Sequence, residues 1–196
     1  MHAAHGYLIS QFLSPRTNFR KADYGGTLEN RARILLEIVS SIRQAVGSSF
    51  PIAVKLNSAD FQKGGFEFTD SMQVAKWLEA ASVDVIEISG GTYEQPRLLG
   101  VEGIEEVAEQ DVKASTVARE AYFLEFAIAM QQEVSIPLMV TGGFRQKQAM
   151  EAALENGADI IGLGRPMCVM TDAPSRLFSG LAELPRYESK LTFFPT

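Results

Sequence analysis

The chain has 196 residues, 46% of them hydrophobic, with 18 Lys and Arg against 24 Asp and Glu for a formal net charge of -6. That balance, with no run of like charge, excludes a nucleic-acid partner, because neutralising phosphates needs clustered cations. The single cysteine, Cys168, excludes an internal disulfide and suits a reducing, cytoplasmic setting, and no apolar run is long enough to span a bilayer.

In chain order, the opening MHAAHGYLISQF reads as the end of a strand and holds both histidines of the chain within five residues. Residues 27–46 place Leu28, Ala32, Leu35, Leu36, Val39, Ile42 and Val46 at helical spacing, with Thr27 as N-cap, Glu29 in the first turn and Gly47 as the stop. PIAVKLN (51–57) is a short strand. The pattern then repeats: a helix over 69–81, a strand over 83–90, and a helix over 115–133. A strand over 136–143, a helix over 145–156 closed by Asn156-Gly157, a strand over 158–166 and a helix over 173–182 follow. Strands that read as apolar on both faces and alternate with helices indicate a parallel sheet of βα units. About five strands are present, whereas a closed (β/α)8 TIM barrel takes roughly 250 residues. The chain is therefore expected to be a single α/β domain, 1–196, forming the last five or so βα units of a barrel and truncated at its N-terminus.

The chemistry gathers at the C-terminal ends of these strands, the face where parallel α/β proteins place their sites. VTGGF carries Gly142, Gly143 and Phe144 directly after a strand, and GLGRP carries Gly162, Gly164 and Arg165. Such glycines either make tight turns or let backbone N–H groups approach a phosphate. Two of them on consecutive final strands, one followed by an arginine fork, favour the phosphate. Lys55 reads as the only charge inside an apolar strand, where it either snorkels to the rim or faces an anion. His2 and His5 at spacing three, with no Asp, Glu or Cys nearby to complete a set, lack a metal partner. With Tyr7 they are either hydrogen-bond donors at a strand exit or polar residues of a frayed end.

HAAHGYLISQFLSPRTNFRKADYGGTLENRARILLEIVSSIR resembles the Old Yellow Enzyme family of FMN-dependent NAD(P)H:flavin oxidoreductases, and the likeness continues through VKLNSADF, ISGGTYE, REAYFLEFA, VTGGFR and IGLGRPM. The resemblance implies an FMN-binding (β/α)8 barrel whose fourth strand is the opening segment. It also implies that NADH or NADPH reduces the flavin, which then reduces an α,β-unsaturated carbonyl compound. On that pattern His2 and His5 bind the substrate carbonyl and Tyr7 protonates the α-carbon. Lys55 lies at the flavin N1/O2 edge, and Gly142, Gly143, Phe144, Gly162, Gly164 and Arg165 form the FMN phosphate site. Arg16, Tyr24, Gly25, Gly26 and Arg31 match as loop and helix-start structure. Ser89, Gly90 and Gly91 end a strand near the cofactor with no assigned role. The expected partners are a small-molecule substrate and, through exposed barrel edges, another chain. The competing expectations are an inactive barrel fragment that holds a phosphate weakly, and a flavin-free barrel lyase or isomerase. The His-x-x-His-x-Tyr cluster speaks against the last of these.

Overall fold

The computed structural model describes residues 1–91 and 123–185. Five parallel strands, β1 (His2–Ala3), β2 (Ala53–Asn57), β3 (Val85–Ser89), β4 (Leu138–Thr141) and β5 (Ile160–Gly162), pair strictly in sequence order. Consecutive parallel pairing joined by helices is what one arc of a barrel requires. The helices are α1 (Leu8–Leu13), α2 (Leu28–Val46), α3 (Phe68–Ala80), α4 (123–131), α5 (Lys147–Glu155), α6 (Arg165–Val169) and α7 (Ala173–Phe178). The expected helix over 115–133 is thus seen from 123; its first part lies outside the described residues.

Local chemistry sets the boundaries. The Thr27 hydroxyl accepts the Asn30 N–H at the start of α2, and Gly47 ends it at φ +80°, a conformation that side chains disfavour. Three expectations need correction. The GLGRP strand stops at Gly162, and Arg165 opens a short helix with Pro166 in its first turn, where a missing N–H costs nothing. The strand at the N-terminus is only two residues long and is followed by helix α1, which the periodicity did not single out. The last helix ends at Phe178, and Gln146 and Glu183 instead form an antiparallel bridge.

One face of the sheet is closed. Val54, Leu56, Ile86, Ile88, Leu138 and Val140 are almost fully buried in one core with Leu35 and Val39 of α2, Val74 and Leu78 of α3, and Met130 of α4. The opposite face is open and mixed. Register sets His2 beside Lys55, Lys55 beside Glu87, Glu87 beside Met139, and Met139 beside Ile160, all partly or well exposed. The strands therefore alternate, apolar toward the helices and mixed toward the barrel axis, and are not apolar on both faces.

Arg31 ties the first helices together. Its side chain is buried, with one guanidinium nitrogen donating to the Leu13 carbonyl and the other 3.3 Å from Asp70 on α3. Tyr24 donates to Glu37, and a Cβ on Gly25 would lie 2.3 Å from the Arg20 carbonyl oxygen. These family-like residues therefore have packing roles, as expected.

Candidate active site

Because all five strands are parallel, their C-terminal ends share one edge of the sheet. The chain leaves β1 through two consecutive left-handed residues, His5 (φ 61°) and Gly6 (φ 77°), and this turn folds Tyr7 back over the strand end. His2, His5 and Tyr7 form one cluster, with the His2 ring edge-on to His5 at 5.2 Å and to Tyr7 at 4.8 Å between centroids.

A left-handed histidine needs support, and the next two strands supply it. The His5 N–H donates to Asn57 Oδ1 at 3.1 Å, and the His5 Nε2 meets the Ser89 hydroxyl at 2.5 Å. Asn57 is itself satisfied, donating to the Asp60 carboxylate and the Gly91 carbonyl. Gly90 must lack a side chain because a Cβ there would lie 2.6 Å from the Phe61 ring. The Ala4 N–H donates to His2 Nδ1, which fixes the neutral ring with its proton on Nε2, a donor free to face a ligand.

Electrostatics disfavour protonation of both rings. Burial, then the Lys55 charge, then His2 lower the His5 pKa to about 4, against the pull of Glu87. The same burial and Lys55 charge lower His2. The His5 ring is therefore expected not to titrate between pH 5 and 8. Imidazole NMR checks this, and a resonance moving in that range would overturn it. The unfolded chain binds the His5 proton near pH 6.5 and the folded chain only near 4. His5 therefore makes folding less favourable as pH falls from about 6.5 to about 4, with no effect above.

Lys55 does face an anion, but one supplied by the protein. Its ammonium lies 2.8 Å from Glu87 Oε1, with about a fifth of each side chain exposed. Lys55 is thus not the only charge within an apolar strand. Burial resists ionisation of Glu87, yet hydrogen bonding to Lys55 and toward the Thr141 hydroxyl, with the Lys55 charge, outweighs it and lowers the pKa.

At the far end of the edge, Gly142 (φ 129°) and Gly143 (φ 74°) adopt conformations that need glycine, and a Cβ on Gly142 or Gly164 would meet nothing within 4 Å. Arg165, exposed, opens α6 beside this space. Open room, glycine backbone and a guanidinium on adjacent strands fit a phosphate-bearing group. Gly162 has a packing reason of its own, since a Cβ there would fall 1.8 Å from the Thr141 hydroxyl. The Phe144 side chain is buried in the core, so only its backbone can face a ligand. Among the described residues no cluster of His, Cys, Asp or Glu could hold a metal, and no helix is long and apolar enough to cross a membrane.

Sequence reading missed Glu87 and Asn57 and left Ser89 without a role. The signal for Glu87 was present: VIEIS, like AVKLN, places a charge at the centre of a five-residue strand, and opposite charges so placed invite pairing. Asn57 and Ser89 end those same two strands in register.

The parallel βα arc brings His2, His5 and Tyr7 together at one end of its C-terminal edge and the glycine turns of β4 and β5, with Arg165, to the other. The profile of the NADH:flavin oxidoreductase / NADH oxidase family matches residues 1–183, and the chain belongs to that family. FMN, with NADH or NADPH as donor, is the cofactor pair of this family. An NADH-dependent flavin oxidoreductase of Talaromyces variabilis is 44% identical over 172 residues, covering 86% of this chain and 40% of that protein. The NADH oxidase of Thermoanaerobacter brockii is 35% identical over 182 residues, covering 92% and 26%. Among solved structures, the complex of 2-naphthoyl-CoA reductase with 2-naphthoyl-CoA superposes with a TM-score of 0.75 at 30% identity, over 91% of this chain and 26% of that one. The old yellow enzyme homologue from Zymomonas mobilis, at 24% identity and a TM-score of 0.68 over 100% of this chain and 49% of that one, shares the fold. The chain spans less than half the length of each of these proteins.

Proposed function

We propose that this chain carries the carbonyl-binding, proton-donating and phosphate-binding groups of an FMN-dependent ene-reductase that draws its electrons from NAD(P)H. The observation that carries the reading is the neutral, pre-oriented His2–His5 pair with Tyr7 beside it at the strand exit. FMN, when bound, supplies hydride transfer. His2, through its Nε2–H, and His5 donate hydrogen bonds to the carbonyl oxygen of an α,β-unsaturated substrate, drawing electron density from the β-carbon. Tyr7 gives its phenolic proton to the α-carbon. Lys55 would hold the flavin ring, and Gly142, Gly143, Gly164 and Arg165 would hold the phosphate. Neutral imidazoles suit the task, because they donate without placing a full charge that would bind anions in the substrate's place.

The test is a pair of half-reactions under anaerobic conditions. NADH or NADPH is expected to bleach the bound flavin, and an α,β-unsaturated ketone to restore its colour with release of the saturated ketone. Restoration by oxygen but by no activated alkene would overturn the ene-reductase assignment and leave an NADH oxidase.

A further inference from the structure

We infer that Glu87 sets the reduction potential of the bound flavin by neutralising and positioning Lys55. The inference rests on the reading that FMN lies over Lys55, and it concerns a residue to which neither motif nor cluster gave a role.

The argument begins with the open face of the sheet. Across the register His2, Lys55, Glu87, Met139 and Ile160 share the open face, and among the described strand residues of that face only Lys55 and Glu87 carry charge. The two are register partners on adjacent strands, 2.8 Å apart and mostly buried, so they act as one unit with no net charge.

FMN, when bound, would gain negative charge on accepting a hydride from the nicotinamide, which is oxidised, and Lys55 is the cation that would meet that charge. A bare lysine there would strongly favour the reduced form. The paired lysine keeps its N–H donors while its charge is largely cancelled, so the flavin is held at a lower potential and remains a better hydride donor. Glu87 does this without touching the reacting atoms; it is a positioning residue.

The experiment measures the midpoint potential of bound FMN by dye equilibration in the FMN-loaded protein. Glu87→Gln is isosteric and still accepts a hydrogen bond from Lys55. It is expected to raise the affinity for reduced over oxidised FMN about tenfold, or about 30 mV upward for a two-electron couple. Lys55→Met is expected to move the potential downward. Lys55→Met/Glu87→Met replaces both charges with apolar groups, a change that protein interiors generally tolerate, and is expected to return the potential close to that of the parent. Opposite signs for the single variants and cancellation in the double are a charge signature that a packing role would not produce. If Glu87→Gln leaves the potential unchanged while Lys55→Met lowers it, the inference fails and the flavin placement stands. If none of the three shifts the potential of bound flavin, the placement over Lys55 fails and the inference falls with it.

Discussion

Replacing Tyr7 with Phe is expected to slow alkene reduction by about 10²–10⁴-fold, the range for losing a positioned general acid, while leaving flavin reduction by NAD(P)H unchanged. The separation follows from what each half-reaction requires. Reoxidation by an alkene needs a proton at the α-carbon, whereas reduction of the flavin needs only hydride from the nicotinamide. The substitution removes one oxygen and keeps the ring that packs edge-on to His2 at 4.8 Å, so the cluster should keep its shape. Changing both His2 and His5 to Ala removes the carbonyl donors and is expected to impair the same half-reaction with flavin still bound. Stopped-flow traces in which both half-reactions slow equally would defeat these roles. Asn57 gives a useful contrast, since its loss releases the left-handed His5 turn without removing any group that meets substrate.

The order of elements and their type were legible because the sequence punctuates itself. Thr27 and Gly47 bracket α2, Asn156-Gly157 closes α5, and each strand ends in small or polar residues. Helix α6 was not legible, because GLGRP continues an apolar run and a proline in a first helical turn looks the same in sequence as a proline that ends a strand. The two faces of the sheet were misread for a related reason: with strands of three to five residues, alternation is sampled only once or twice. Motif and resemblance together named His2, His5, Tyr7 and the glycine turns, which lie at or just beyond strand ends, and Lys55, whose charge stands out at the centre of an apolar strand. They did not reach the support behind them. Asn57 and Ser89 acquire their meaning only when three strands bring them to one histidine, and sequence distances of 52 and 84 residues hide that convergence.

Expressed by itself, this 196-residue chain is expected to assemble with a second copy and not to remain a monomer. Among the described strands β1 pairs only with β2 and β5 only with β4, so each outer edge offers unpaired N–H and C=O groups. The open face adds Ala53, Val85, Met139 and Ile160 to those edges. Covering about 400 Å² of apolar surface is worth about 10 kcal/mol at about 25 cal/mol per Å², on the scale of a domain's whole stability. The charges on that face do not oppose association, because Lys55 and Glu87 already neutralise one another. Sedimentation should therefore give a mass above the 21.5 kDa of one chain, with little dependence on salt. Lys55→Glu sets two carboxylates side by side in register on the same face, and like charges there should drive the copies apart. A parent chain that sediments as a 21.5 kDa monomer with one FMN bound would overturn this expectation. An assembly indifferent to Lys55→Glu would show that the edges alone hold it, with the open face turned away from the contact.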